Sequence, residues 1–167
     1  ADTGARKRAR MQQVCSACHT TPYVDAFYKQ YDDLVILFNE KFAKPGQAIM
    51  AALTREGLIT KKQFDEKIEW TWYLLWHHEG RRARHGASMM APDYTHWHGM
   101  YEVSKHFYTK FLPAVIDTAA AKSPELKKKY EAKVAALLAR PEHVWLKGLK
   151  PEEAEALRKE YKERYNQ

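Results

Sequence analysis

The interpretation of the fold starts from Cys15-Ser16-Ala17-Cys18-His19, because this segment contains both cysteines of the chain. Its two thiols lie three positions apart and a histidine follows directly, which is the spacing of a c-type haem attachment site. Two such thiols can form thioether bonds to the two vinyl groups of one porphyrin, and the histidine then lies below the iron as its proximal ligand. The segment therefore predicts one covalently attached haem c, bound by Cys15, Cys18 and His19.

Three other uses of the two cysteines fit the sequence less well. A zinc site would need two further ligands, and no second cysteine pair exists in the sequence. A thioredoxin-like pair would lie at a strand-to-helix turn, and the neighbouring residues show no such pattern. A disulfide between Cys15 and Cys18 would be strained and would leave the adjacent His19 unexplained.

With 167 residues, the chain is long enough for one domain with a hydrophobic core. The densest apolar run, residues 34–38, is far shorter than the roughly 18 residues that span a bilayer, so no membrane span is expected. Haem is attached to thiols outside the bacterial cytoplasm, and the sequence starts at Ala1 rather than at a methionine. We therefore expect a mature, exported protein in the periplasm or another extracytoplasmic compartment.

The formal net charge is +7, and two haem propionates would lower it to about +5. The positive side chains of the last third of the sequence are interspersed with acids, so a nucleic-acid partner is not predicted. Two basic clusters, at residues 6–10 and 81–84, are most simply solvated surface. Arginines close to a haem also pair with its propionates and tune its potential, which is the second interpretation of both clusters.

Helix start and stop signals are frequent and strand-like alternation is almost absent, which favours an all-α fold. We expect long antiparallel helices around a c-type haem, preceded by an irregular haem-binding segment at the N-terminus. The chain then divides into a haem-attachment segment over residues 1–21, a helical haem-packing domain over 22–121 and a C-terminal helical arm over 122–167.

Capping residues and prolines predict where the first helices begin and end. Thr21-Pro22 starts a helix that is expected to stop at Pro45-Gly46, and residues 47–56 form a short segment of their own. A capping box at residues 60–63 opens a long helix that runs to about residue 90.

The second half of the chain shows the same kind of signals. An aromatic-rich helix from about residue 94 to residue 112 comes next, and Pro113 should kink or end it before residues 114–121. Two tail helices are expected to start at Pro124 and Pro151.

The central helices contain more histidines than one haem can use. One stripe of the long helix keeps a seven-residue register and consists of Ile68, Thr71, Leu75, His78, Arg82, His85 and Met89. The stripe places His78 and His85 on one face of that helix. Neighbouring histidines on a helix point apart, so only some can face one haem. The candidates for the sixth, distal iron ligand are His77, His85, His98 and His106. This excess suggests that the helix pair also serves haems attached to another chain.

Residues 76–90 read WHHEGRRARHGASMM, and residues 92–95 and 97–102 read PDYT and WHGMYE. These motifs resemble the C-terminal part of the octahaem hydroxylamine oxidoreductase family. Residues 11–15, MQQVC, are similar to the entry to that family's last haem site. The resemblance covers about residues 5–115.

The resemblance implies a trimer with eight c-type haems, of which seven are bis-histidine electron carriers and one is a five-coordinate catalytic haem. It further implies that a tyrosine of the neighbouring subunit is bonded to the catalytic porphyrin in the oxidising members, and the matching residue here is Tyr94. This chain has one attachment motif where the family has eight. The remaining haems must then lie on a partner multihaem chain in a trimer-based oligomer, and the conversion of small nitrogen compounds needs that assembly.

Two functions remain open on these grounds. The first is a haem subunit or processed C-terminal portion of such a multihaem oxidoreductase, with Tyr94 as a candidate crosslink. The second is a free monohaem electron carrier, because Met89 and Met90 follow the attachment site at a spacing similar to that of small cytochromes c. The missing glycine-rich and methionine-bearing loops of those carriers argue against the second.

Overall fold

The computed structural model describes residues 2–165, apart from the side chains of Trp145, Lys147, Arg164 and Tyr165. Within that part, the regular elements are helices and no strand occurs, so the predicted all-α class is confirmed. Six helices and one 3₁₀ turn follow in order: α1 Gly4–Cys15, α2 over residues 21–55, α3 over 67–88, α4 over 92–120, α5 Pro124–Leu138, the turn Pro141–Lys147 and α6 Pro151–Tyr165.

The N-terminal segment is not irregular as expected, because Gly4–Cys15 forms the regular helix α1. The side chain of Thr3 caps it by accepting a hydrogen bond from the backbone N–H of Arg6 at 3.3 Å. Alanine, arginine, methionine and glutamine are good helix formers and dominate this stretch. The irregular part is therefore only the short turn between Cys15 and the start of α2.

Helix α2 continues through Pro45-Gly46, where the sequence predicted its end. A π turn, Asn39–Ala43, comes directly before the proline, and the backbone N–H of Lys44 bonds back to the carbonyl of Asn39. This widened turn takes the chain out of the regular α-helical register, so the missing N–H and the ring of Pro45 do not stop the helix. The prediction of a separate segment over 47–56 is therefore wrong.

Helix α3 begins at Lys67, seven residues after the predicted start at Thr60. The capping box that forms is the one between Glu66 and Glu69, in which the backbone N–H of Glu66 donates to the Glu69 carboxylate at 3.2 Å. The Thr60 hydroxyl instead donates to the Asp65 carboxylate at 3.0 Å and stabilises a loop. The helix ends at Ser88, close to the predicted end.

The π turn Leu74–Glu79 changes which face of α3 is buried. Ile68, before the turn, and Leu75, at its second position, lie in the core. From His78 onwards the stripe is exposed at His78 and His85, and the buried positions are Glu79, Gly80, Ala83 and Gly86. Because one extra residue rotates all later side chains by about 100°, a stripe drawn at regular spacing fails beyond that point.

Helix α4 likewise runs through Pro113 to Ala120, although the sequence predicted a kink or an end. The π turn Phe107–Phe111 precedes the proline, and the backbone N–H of Leu112 bonds to the carbonyl of Phe107. In both α2 and α4, a π turn that precedes the interior proline lets the helix continue. The predicted starts at Pro124 and Pro151 are confirmed, and the Ser123 hydroxyl caps α5.

The core lies between α2, α3, α4 and α5. Its largest fully buried side chains include Phe38, Phe42, Leu75, Phe107, Phe111 and Tyr130. At the other end of the pair α3 and α4, a Cβ on Gly99 would lie 2.5 Å from the Cα of Ala83, and a Cβ on Gly86 would lie 2.8 Å from the backbone nitrogen of Thr95. This close approach fixes the turn between the two helices.

None of the helices in the described part of the chain combines the length and apolar character that a membrane crossing requires.

Candidate haem site

A cavity of about 570 Å³ lies where the end of α1, the first turns of α2 and the turn after α3 meet. It is lined by Met11, Cys15, His19, Tyr23, Val24, Phe27, Tyr28, Tyr31, Ser88, Met89 and Met90. Most of these side chains are aromatic or contain sulfur, and the polar atoms are few. Such a lining suits a flat, largely apolar ligand with a small number of fixed attachment points.

Two of the three predicted attachment residues, Cys15 and His19, border this cavity. Helix α1 ends at Cys15, and the backbone N–H groups of Cys18 and His19 both bond to the Cys15 carbonyl, at 3.2 and 3.0 Å. Both thiols are free, with Cys15 half-buried and Cys18 exposed. The structure thus leaves the two cysteines available on one turn, with His19 directly after them.

His19 is held by an aromatic neighbour. Its ring is stacked on Tyr23, with the centroids 4.8 Å apart and the planes 22° apart. The Tyr23 hydroxyl in turn donates a long hydrogen bond to the Sδ of Met90 at 3.6 Å. One tyrosine therefore connects the predicted proximal ligand with the turn after α3.

That turn contains an unusual residue. Met90 has a φ of 53°, in the left-handed region that favours glycine. The conformation is fixed by the backbone N–H of Ala91, which bonds to the Gly86 carbonyl at 2.9 Å, and by the N–H of Met90, which bonds to Ala87. The helix end thus delivers Met89 and Met90 to the cavity of Cys15 and His19.

The four histidines predicted as distal ligands do not line this cavity in the described part of the chain. His77 and His85, together with His78, border a second cavity of about 440 Å³. The Nε2 atoms of His77 and His78 lie 3.1 and 3.0 Å from the guanidinium groups of Arg81 and Arg82, respectively. The structure therefore gathers histidines and arginines of α3 around a second, separate opening, with His78 and His85 on one face as predicted.

Tyr94 borders the same second cavity and is 55% exposed. Its ring centroid lies 5.5 Å from that of His98, whose Nε2 lies 3.4 Å from the carboxylate of Asp93. The phenol therefore projects from the start of α4 rather than packing inside its own helices. Tyr94 and His98 form one exposed group, and the role predicted for each of them stays a prediction.

His106 borders a third cavity, of about 580 Å³, on the opposite part of α4. Its Nδ1 lies 2.6 Å from the carboxylate of Glu79, and its Nε2 lies 3.2 Å from the ammonium of Lys110. Burial raises the pKa of the Glu79 carboxyl above its ordinary value, and the neighbouring His106 opposes that shift. A carboxylate on the far ring nitrogen is the usual support of a metal-binding histidine.

Sequence reasoning missed two features of the site. Glu79 is buried although it belongs to a strongly polar run, and only the π turn of α3 turns it inward. His96 was not among the distal candidates, yet it borders a cavity of about 530 Å³ that shares Phe27, Tyr31 and Met90 with the first one. No local signal distinguished His96 from its neighbours.

Comparison with protein-family models, with curated proteins and with solved structures finds no match for this chain. The resemblance to the hydroxylamine oxidoreductase family therefore rests on the sequence motifs alone. The chemistry of the lining residues remains the basis for assigning a function.

Proposed function

We propose that the chain is a c-type haem subunit, or the processed C-terminal portion, of a hydroxylamine-oxidoreductase-like multihaem complex. It transfers electrons there and completes the haem environment for the redox conversion of small nitrogen compounds. The observation that carries the proposal is that free Cys15 and His19 share one aromatic cavity of about 570 Å³, with free Cys18 on the same turn.

The residues around this cavity fit a c-type haem. Cys15 and Cys18 would hold the porphyrin covalently, and His19 would bind the iron from one side. Phe27 and Tyr31 would exclude water from the ring, which stabilises the less charged state of the iron. A haem bound in this way supplies one-electron chemistry, since its iron alternates between the ferric and the ferrous state.

The position of the other histidines supports a partner with haems of its own. His77 and His85 border one outward opening and His106 another, and neither opening includes the attachment segment. Arg81 and Arg82 border the first of these openings, where propionate groups of a partner's haem would find charge-assisted hydrogen bonds. Tyr94, at the same opening, is the residue we propose to approach a catalytic haem of the partner chain.

The attachment of haem is tested on the intact chain. Expressed with the haem-attachment machinery of an extracytoplasmic compartment, the denatured chain should have the mass of the polypeptide plus one haem. The double variant Cys15→Ser/Cys18→Ser should lose the haem, because both thioether bonds are removed. Met11→Leu changes a residue that borders the same cavity without bonding the porphyrin, and it should retain the haem. A wild-type chain without added mass would contradict the proposal.

A free monohaem electron carrier is the second candidate, and the position of Met89 and Met90 in the cavity of His19 favours it. The native mass of the purified protein separates the two. A carrier would be a single chain with one haem, whereas the first proposal requires a copurifying multihaem chain.

A further inference from the structure

The cavity of about 580 Å³ that His106 borders lies between α3 and α4, and no residue of the attachment segment lines it. Much of its lining is apolar and includes Ile68, Leu74 and Pro113. A few ionisable side chains complete it. A concave site of this size, mainly apolar with a small number of polar groups, is typical of the sites that bind small molecules.

Two π turns border this cavity. Leu74 is the first residue of the π turn in α3, and Thr109 and Lys110 belong to the π turn Phe107–Phe111 of α4. Turns of this kind are rare and occur frequently at functional sites. The backbone of both helices is thus irregular at the place where the cavity lies.

A chain of hydrogen bonds holds Lys110 at the cavity. The ammonium of Lys110 lies 3.2 Å from the Nε2 of His106, and the Nδ1 of His106 lies 2.6 Å from the carboxylate of Glu79. An ammonium only donates and a carboxylate only accepts, so a neutral imidazole with its proton on Nδ1 satisfies both contacts. Because Glu79 is buried, it fixes the ring of His106, and that ring fixes the ammonium of Lys110.

The positive charge of Lys110 is not neutralised by the chain. Its ammonium forms no salt bridge with a residue in the described part of the structure, and a neutral imidazole leaves its charge in place. Lys67 adds a second positive charge to the lining, and Asp117 adds one negative charge. The lining therefore has a net positive charge, which favours an anionic ligand.

Asp117 does not prevent an anion from binding at Lys110. It follows Lys110 by about two helical turns, which separates the two residues by roughly 10 Å along the axis of α4. A short ligand can therefore contact Lys110 without approaching the carboxylate of Asp117.

We infer that this cavity binds a carboxylate with a short apolar body. The carboxylate accepts a hydrogen bond from the ammonium of Lys110, and the apolar body lies against Leu74 and Pro113. His106 and Glu79 are positioning residues, because they act through Lys110 rather than on the ligand. The inference goes beyond the proposed function and does not depend on the attached haem. Two sources offer this chemistry, a free organic acid and a propionate of a partner's haem.

The first test is a calorimetric titration of the purified chain with benzoate, and with benzamide as a neutral analogue of the same shape. Benzoate should bind saturably and benzamide about tenfold more weakly, because a hydrogen bond to a charged group contributes that factor or more. Lys110→Met should lower the affinity for benzoate by a similar factor. Lys105→Met, which removes an exposed lysine of α4 that does not line the cavity, should bind benzoate as the wild type does. A wild-type chain that does not bind benzoate, or an unchanged affinity in Lys110→Met, would overturn the inference.

The positioning role of His106 is tested by two substitutions. His106→Gln keeps an acceptor for the ammonium of Lys110 in its amide oxygen, whereas His106→Leu removes it. The affinity for benzoate should be largely kept in His106→Gln and should fall in His106→Leu. A merely structural role would change the unfolding midpoint without separating the benzoate affinities of the two variants, and that result would contradict the positioning role.

The natively purified assembly distinguishes the two sources of the carboxylate. If the ligand is a free organic acid, the assembly should bind benzoate as the isolated chain does. If it is a propionate of a partner's haem, the cavity is filled in the assembly and only the isolated chain should bind benzoate. The mass of the denatured chain tests the haem attachment separately. A chain that binds benzoate but has no covalent haem would defeat the proposed function and leave this site standing.

Discussion

His143 is a fully buried histidine that lies outside the candidate haem site. It belongs to the turn Pro141–Lys147, and its Nδ1 lies 2.6 Å from the hydroxyl of Tyr108 on α4. Its ring is also stacked on Phe107, with the planes 5° apart. This imidazole packs the turn Pro141–Lys147 against α4.

The surroundings of His143 disfavour its charged form. Burial is the main cause that lowers the pKa of the imidazole below its ordinary value of 6.5, and Lys41 and Arg140 lower it further. Glu142 opposes the shift. The folded chain therefore keeps His143 neutral at pH values at which the unfolded chain is protonated.

We expect the free energy of unfolding to fall as the pH is lowered below about 6.5, because the unfolded chain then binds a proton that the buried imidazole does not. His143→Gln removes the titrating group, so that this part of the pH dependence should disappear. Urea unfolding at about pH 7.5 and about pH 5.5 measures the difference. His96→Gln replaces an exposed histidine and should keep the pH dependence of the wild type. If the free energy of unfolding had the same pH dependence in both variants, its assignment to His143 would be wrong.

Among the helices, the π turns explain most of the differences from the predicted elements. Pro45 and Pro113 each follow such a turn and remain inside long helices. A third π turn, in α3, rotates the buried face. π turns of this kind occur mostly as single turns inside α-helices.

The pair α3 and α4 depends on a close backbone contact at Gly99. A Cβ there would lie 2.5 Å from the Cα of Ala83, and a backbone atom cannot move aside as a flexible side chain can. Gly99→Ala should therefore lower the free energy of unfolding by about 1–3 kcal/mol, the usual range for overpacking. Thermal or urea unfolding measures the effect.

Gly4→Ala is the matched control for that experiment. Gly4 is also helical, but nothing lies within 4 Å of the position of its Cβ. Its replacement should leave stability unchanged or raise it slightly, because alanine is the better helix former. If Gly99→Ala lowered the free energy of unfolding no more than Gly4→Ala does, the close contact between α3 and α4 at Gly99 would be contradicted.

At the scale of the whole molecule, α3 and α4 leave large aromatic side chains exposed. The exposed set on α3 and α4 consists of Trp70, Trp76, Tyr94, Trp97 and Tyr101. Phe107 lies in the core instead, and the partly buried Trp72 packs against that core. Aromatic side chains are enriched at protein interfaces, so these exposed residues are candidates for one.

We expect the natively purified protein to be part of a larger assembly with more than one haem per copy of this chain. Trp97→Ser should weaken that assembly, because an exposed indole on α4 is removed from the interface. Ile36→Ser, at an exposed apolar residue of α2, should leave it intact. Native mass and haem stoichiometry measure both. A well-folded single chain with one haem and no copurifying cytochrome would contradict the expectation.

The sequence by itself determined the all-α class and the starts of α2, α5 and α6, and it supplied the candidate attachment residues. These features depend on residues close in the chain, such as Thr21-Pro22, Pro124 and Pro151, whose effects act within one or two helical turns. The identity of Cys15, Cys18 and His19 as the candidate attachment residues needed no tertiary information either.

Only the tertiary structure decided which side chains meet. The passage of α2 and α4 through their prolines and the inward turn of Glu79 depend on π turns and packing that no local pattern encodes. The same holds for the candidate site, where Met90 reaches the cavity of His19 because Gly86 lets α3 and α4 approach closely. Contacts between distant residues are fixed by the packing of whole helices, and a one-residue change of register is enough to redirect every side chain that follows.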